Sequence, residues 1–445
     1  MGKGLAMRHG KRLAHTIIVA CALALACAKP VAADESVYRH QARPGDTLIG
    51  LGQALLIRPS DWPKLARLNR IGNPRRIQVG TQLLIPVALM KATPAPGLVV
   101  ATVGEASLVA PQGQTTAAQV GAPLLPGTEI RTGVGGYVTV QLADGSVLRL
   151  QSSTTALVER SDHYESAGFF ASKLRLIKGR IEALVAHLTG GEPRFQVKTP
   201  QALLGVRGTE FRIGVDPDRQ ATVSEVLDGA VSVGASQAKA RRAQWVAAGF
   251  GTQVTSDHGA MPPVQLPSPP DLSAVPALHE RIVVRIHVPS VAGSTAYRAQ
   301  IAQDADFRQV QAELIATAPE FRFANLPDGH YHLRLRAADT HGIEGPDATR
   351  QIHLKARPEP PIASLPPPGG KVRAIAVALA WAGQTEAARY HLQIAPGTGF
   401  DQTVHDQADL IDTNKLVELP VGDYVWRVAS IRPDGDHGPF GDPQS

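Results

Sequence analysis

The chain has 445 residues, enough for three or four domains at roughly 100 to 200 residues each, so a single small module is excluded. Its 42 Gly and 35 Pro amount to about 17% of the residues, below the roughly 25–30% that marks low-complexity chains, which excludes wholesale disorder. The formal charge is +6, but Lys3, Arg8, Lys11, Arg12 and Lys29 lie in the first 33 residues; the remainder is close to +1, so the composition gives no sign of a nucleic-acid partner.

The N-terminal segment predicts export. A basic stretch precedes the apolar run from Thr16 to Ala26, and two small-residue cleavage patterns end at Ala28 and Ala33. The run is shorter than the roughly 20 apolar residues of a spanning helix. Residues 1–33 are therefore read as a signal peptide and the destination as the periplasm or cell envelope; Ile18-Val19-Ala20-Cys21 leaves a lipoprotein form as the alternative. Cys21 and Cys27 are the only cysteines, so cleavage after Ala33 removes both disulfides and thiol catalysis from the expected chemistry. No later segment is long and apolar enough to span a membrane.

Residues 37–87 predict strand, helix, helix, strand. Val37 to His40 is the first strand, Pro44-Gly45-Asp46-Thr47 supplies a turn and a helix cap at Asp46 or Thr47, and a short helix starts at Leu48. Ser60 or Asp61 is expected to cap a second helix with Trp62, Leu65 and Leu68 on one face, and Gln82 to Ile85 forms the closing strand. This segment holds eight Lys/Arg and two Asp, so the basic character is local. Gly45-Asp46-Thr47-Leu48, Leu68-Asn69, Asn73-Pro74, Ile77, Gly80 and Leu83-Leu84-Ile85-Pro86 together resemble the LysM module. The resemblance implies a non-catalytic βααβ fold that grips N-acetylglucosamine glycans such as peptidoglycan. It places the groove between Gly45, Asp46, Thr47 and Leu48 on one wall and Asn73, Pro74, Arg75, Arg76 and Ile77 on the other. Short Gly/Pro loops expose backbone amides suited to an acetamido group, and Arg75 and Arg76 suit carboxylates of wall peptides.

Residues 98–256 change to period-two alternation and predict an all-β domain. Val138, Val140 and Leu142 lead through Asp144-Gly145 to Leu148 and Leu150 as a hairpin; Leu174 to Val185, interrupted at Gly179, gives further strand; Asp228-Gly229 is expected to turn a second hairpin into Val231 and Val233. Pro126 to Gly133, Leu142 to Ser146, Leu176 to Gly179, Val197 to Pro200, Val206 to Phe211 and Leu227 to Val231 resemble the FecR domain. That family's best-known members sense in the periplasm and regulate a sigma factor. Here the leader-like start leaves no room for a cytoplasmic sigma-binding segment, so the resemblance implies an exported interaction or scaffold domain. Gly208 in Arg207-Gly208-Thr209 is read as a tight bend rather than a site.

Pro-rich stretches at 257–276 and 358–370 are expected to be semi-rigid linkers. Between and after them lies an internal repeat: Tyr297, Gln300-Ile301-Ala302, Phe307, Leu326-Pro327, Gly329, Tyr331 and Gly345-Pro346 recur 93 residues later as Tyr390, Gln393-Ile394-Ala395, Phe400, Leu419-Pro420, Gly422, Tyr424 and Gly438-Pro439. Residues 277–357 and 371–445 are thus two tandem β-sandwiches, similar to fibronectin type III domains, with these aromatics expected in the cores. His330-Tyr331-His332 offers two imidazoles on one strand face, as a zinc site would, but the repeat replaces them by Asp423 and Val425. No catalytic residue, metal or cofactor is expected. The chain reads as a multidomain, mainly β, non-enzymatic envelope protein whose partners are a glycan and unknown envelope proteins; a wall hydrolase or its accessory, and an envelope signalling receptor, are the alternatives.

Overall fold

The computed structural model describes residues 37–186, 195–236, 243–373 and 375–445; the expected signal peptide lies outside them. The protein is multidomain and mostly β, half strand and 6% helix. Among the described residues no helix is long and apolar enough to cross a membrane.

The first module pairs β1 (Val37–Gln41) antiparallel to β2 (Gln82–Pro86), with α1 (Leu48–Leu55) and α2 (Trp62–Leu68) between them. Gly52 allows the helices to meet: a Cβ there would come within 2.9 Å of the Pro59 carbonyl and 3.1 Å of the Trp62 Cβ. Asp61 precedes α2 without a side-chain cap, after a 3-10 turn at Pro59–Asp61, and pairs with Lys64 instead. Leu65 is buried with Trp62, Ala66 and Ile71 packed around the core, whereas Leu68 is 47% exposed because the helix ends there. The core does not close by itself. Tyr164 and Phe169, from the following domain, complete it, with Tyr38 stacked on Phe169 at 5.4 Å. A module of about 50 residues has little apolar area of its own, and the borrowed aromatics supply some of the missing burial.

The second domain is a closed two-sheet β structure around one continuous apolar core. Its longest strand, Phe169–Leu184, belongs to both sheets. The changeover is at Gly179, which has φ +87° and lies so close to Thr154 that a Cβ would be 2.5 Å from the Thr154 Cα. The expected interruption is therefore a bend within one strand. The hairpin across Asp144-Gly145 forms as expected. Asp228-Gly229 does not make a hairpin: Ala221–Asp228 pairs with Glu210–Asp216 and Phe250–Thr255, whereas Ala230–Ala235 pairs with Ala202–Val206 and Gln244–Ala247. It is a corner between sheets, where Gly229 at φ +80° packs against Gly208 and Thr209. Local turn chemistry is the same in both cases; only long-range pairing separates them.

Residues 277–357 form a five-stranded and a two-stranded sheet, and residues 363–445 a three-stranded and a four-stranded sheet. The proline-rich stretches are packed rather than free. Gly259–Ala260 and Val264–Gln265 add to the second domain's sheet, and Leu272 and Val275 enter the third module's core. Ala363–Leu365 is a strand of the fourth. The repeated Gly-Pro has a physical reason: a Cβ on Gly345 would lie 2.3 Å from the Pro267 carbonyl, and one on Gly438 would lie 2.0 Å from that of Pro358. Each glycine makes room for the segment entering its module.

The second and third modules are joined face to face by buried charge. On the second domain, Arg149, Glu182, Arg212 and Glu225 stand side by side across four neighbouring strands. The third module's five-stranded sheet meets this row with Arg298, Arg334 and Arg336. Arg334 holds Glu182 at 3.1 and 3.3 Å, Arg336 holds it at 2.5 Å, and Arg212 reaches Asp347 at 2.5 Å and the Gly345 carbonyl at 2.7 Å. Arg180 pairs with Glu225 and Glu344, and Arg298 with Glu313 and Glu344. Apolar clusters flank the charges: Tyr137 with Ala302, Phe307 and Val310, and Val223 with Leu266 and Ile343.

Burial pushes the Glu182 carboxyl up, yet Arg334, Arg336 and Arg212 outweigh it and hold the group well below the usual carboxylate range. Glu344 and Asp347 are depressed in the same way, by arginines that overcome burial. In Glu225 burial wins and the carboxyl is raised. Burial, with Arg336 beside it, pushes Arg334 down to about 10.

The three depressed carboxyls contribute stability that is complete above their unfolded values near pH 4 and is lost as pH falls through the folded ones; Glu225 acts in the opposite sense, so three act against one. Melting temperature should fall between about pH 5 and pH 3, and Glu182→Ala should flatten that fall. At neutral pH the same variant leaves Arg334 and Arg336 without their shared carboxylate and should destabilise by about 3–5 kcal/mol in urea unfolding. A loss below about 1 kcal/mol would mean that the pairs contribute no more than exposed ones.

Candidate functional site

The two predicted walls come from different ends of the first module and meet at its base. On the first, Arg43 to Asp46 is a turn closed by the Asp46 amide on the Arg43 carbonyl at 3.1 Å, with Gly45 at φ +90°. Pro44 followed by a left-handed glycine is the type II pattern. Thr47, not Asp46, caps α1: its hydroxyl accepts from the Gly50 amide at 2.9 Å. The Asp46 carboxylate instead staples the turn, accepting from the Arg43 amide and from the His40 ring, each at 2.8 Å. Burial raises the Asp46 carboxyl, but the Arg43 amide and His40 together outweigh it and hold the group below its ordinary value. His40 thus braces this wall.

On the second wall, the Asn73 side chain accepts from the Arg75 amide at 3.0 Å, and the Arg76 amide donates to the Asn73 carbonyl at 3.2 Å. The walls are linked where the Leu48 amide donates to the Pro74 carbonyl at 2.8 Å. Gly45, Asn73, Arg75 and Arg76 are exposed, and Asp46, Thr47 and Pro74 half-buried. Leu48 and Ile77, at 0% and 8% exposure, are core residues, so their side chains support the walls from beneath. Among the described residues no ion pair engages Arg75 or Arg76.

Asn69, which follows the last turn of α2, positions the whole arrangement. Its amide nitrogen donates to the Leu65 and Leu84 carbonyls at 2.9 and 2.8 Å, and its oxygen accepts from the Leu84 amide at 2.6 Å. This welds the end of α2 to β2 and fixes where the second wall begins. An Asn after a helix suggests a stop, and nothing local to it points to a strand 15 residues away.

The other candidates sit as ordinary strand positions. His330 stacks on His353 at 4.2 Å, and His332 pairs across to Gln351. Among the described residues no group of three or more His, Cys, Asp or Glu could hold a metal ion. Gly208 has φ +53° and Arg207 is exposed.

Two family models match this chain. One, described as LysM domain, matches residues 40–86, and the other, described as FecR protein, matches residues 128–232. These are binding or signalling modules, of the kind found in envelope-associated proteins. No curated protein matches the chain. Among solved structures, a putative anti-sigma factor from Parabacteroides distasonis ATCC 8503 is similar over 31% of this chain at 20% identity and a TM-score of 0.26. The chain spans 59% of that protein's length. The FN1-FN3 domains of chicken CNTN1 are similar over 50% of this chain and 96% of theirs, at 12% identity and a TM-score of 0.22. A two-domain fibronectin type III segment of chicken tenascin is similar over 40% and 95%, at 14% identity and a TM-score of 0.20.

Replacing Asn69 by Ala leaves the Leu84 amide and carbonyl without their side-chain partner, which should cost about 1–3 kcal/mol. Hydrogen exchange at the Leu84 amide reads it directly: exchange as slow as in the wild type would show that the carboxamide does not hold the strand.

Proposed function

We propose that the protein is an exported, non-enzymatic component of the cell envelope that binds peptidoglycan, or another N-acetylglucosamine glycan, through its LysM module and carries its FecR-like and sandwich modules as a protein-interaction scaffold. The observation that carries this reading is the LysM match over residues 40–86, in a module whose two candidate walls are joined by the Leu48–Pro74 hydrogen bond. In it Gly45, Asp46, Thr47, Asn73, Pro74, Arg75 and Arg76 line the glycan site, and Leu48 and Ile77 form its support. The sugar's acetamido group meets backbone polar groups of the short loops, and the two arginines meet peptide carboxylates. The packing of Tyr164 and Phe169 into the LysM core supports a further point: the glycan anchor and the FecR-like domain move as one body. Fibronectin type III-like character of the last two modules belongs to the same proposal.

The FecR match over residues 128–232 favours a second reading, an envelope signalling protein in which that domain contacts a membrane partner. The two readings share the wall anchor and differ in what the scaffold holds.

Retention on purified sacculi tests the anchor. Arg75→Glu with Arg76→Glu should lower retention by about tenfold with the melting temperature unchanged, because both side chains are exposed and reverse the local charge. Equal retention would remove the arginines from the site, and no retention of the wild type would remove the function. Clearing of wall substrate by the purified chain in a zymogram would replace the binder with a hydrolase.

A further inference from the structure

The third module's docking face recurs on the fourth, open except at one margin. In the third, Glu313, Gln300 and Arg334 stand abreast on three neighbouring strands. The Gln300 amide donates to Glu313 at 2.5 Å, its oxygen accepts from Arg334 Nε at 2.9 Å, and Phe307 lies 4.2 Å from the guanidinium. The second domain covers this row, setting Glu182 on Arg334 and Gln151 on Gln300, the latter at 2.8 Å.

The fourth module repeats the row 93 residues on as Asp406, Gln393 and Arg427, again abreast on three strands. Its internal bonds repeat too. The Gln393 amide donates to Asp406 at 2.9 Å, and its oxygen accepts from Arg427 Nε and Nη2 at 2.9 and 2.7 Å. The guanidinium lies 4.0 Å from the Phe400 ring and 4.2 Å from that of Phe440. Among the described residues the third module meets only its margin, where Arg281 reaches the Phe440 carbonyl at 3.4 Å and Asp442 at 2.5 Å and the Glu280 carboxylate acts on Arg427. The Asp406 side chain is 47% exposed, and Phe400 is half-buried where its counterpart Phe307 is 4% exposed.

We propose that this sheet face is the surface through which two copies of the chain pair. What the covered face needs from its neighbour is a carboxylate over the arginine and a carboxamide over the glutamine. The open row carries both, arranged so that it can supply them to itself. A two-fold axis between two such faces, running along the central strand Arg389–Pro396, exchanges the two outer strands of the row. It sets Asp406 of each copy over Arg427 of the other, and Gln393 over Gln393. An isologous contact requires this self-complementarity. A partner of one charge sign fits less well, because the face holds both. Asp406 keeps its bond to His391 at 2.6 Å in this arrangement, as Glu182 keeps several arginines at once. The inference is independent of the glycan site.

Sedimentation of the full chain tests it. The wild type should show a monomer–dimer equilibrium with a dissociation constant on the order of 10 µM. Arg427→Asp, which faces carboxylate against carboxylate at both ends of the row, should weaken it by at least about tenfold, and Arg427→Asp with Asp406→Arg should restore it. Should Arg427→Asp not fold, Gln393→Lys sets two ammonium groups against each other on the axis and should also abolish pairing. A monomer up to about 200 µM, far above that constant, would overturn the proposal. So would a dimer indifferent to Arg427→Asp or Gln393→Lys, or one that the reciprocal exchange fails to rescue.

Discussion

The arrangement of this molecule depends on charges that have been taken out of water together. Glu182 lies between the guanidinium groups of Arg334 and Arg336, and around it Arg180, Arg212 and Arg298 alternate with Glu225, Glu313, Glu344 and Asp347. With Arg149, 3.9 Å from Glu182, six arginines face five carboxylates, so the charges largely offset one another although each member is costly alone. Such a network is geometrically demanding: most of its groups find partners, with Glu225 Oε2 and Arg149 Nε as exceptions, and few relative positions of the two sheets allow that. The apolar clusters around Tyr137 and Ile343 add burial, and the charges decide register.

This constraint changes what the modules can do. Four modules on flexible linkers would present four independent surfaces. Here the LysM core is completed by Tyr164 and Phe169, the second domain is locked to the third, and Lys355 ties the third to the fourth through Asp436 at 2.8 and 2.9 Å. Modules packed in this way hold their surfaces at fixed separations, which suits the proposed anchor at one end and contact surface at the other.

The two sandwiches also carry one repeated pattern in two different settings. Arg334 and Arg427 share the same neighbours in their own modules, a glutamine and a phenylalanine. Around them the sequence diverges: Arg298, Arg336, Glu344 and Asp347 correspond to His391, Ala429, His437 and Phe440. The first copy carries enough charge to be satisfied only by a permanent, complementary neighbour. The second, with fewer charges and more aromatic surface, tolerates water, as a face that associates and dissociates must.

Much of this was legible in the residues. Period-two alternation separated the β domains from the helical first module, turn residues located the Asp144-Gly145 hairpin and the Gly45 turn, and the 93-residue offset revealed the tandem repeat. These are local signals, because turns and pleats are made by neighbours in sequence. Glu182, Arg212 and Arg334 lie on sheet faces turned away from their own cores; that another sheet lies over them follows from pairings between residues some 150 positions apart. In the same way Asp228-Gly229 gave the same turn signal as a hairpin, and the prolines of 257–276 the same signal as a spacer. The sequence by itself determined the modules, their order and the chemistry carried on each face. Only the tertiary structure decided which faces are covered, because burial of a polar face depends on whether a complementary one is brought to meet it.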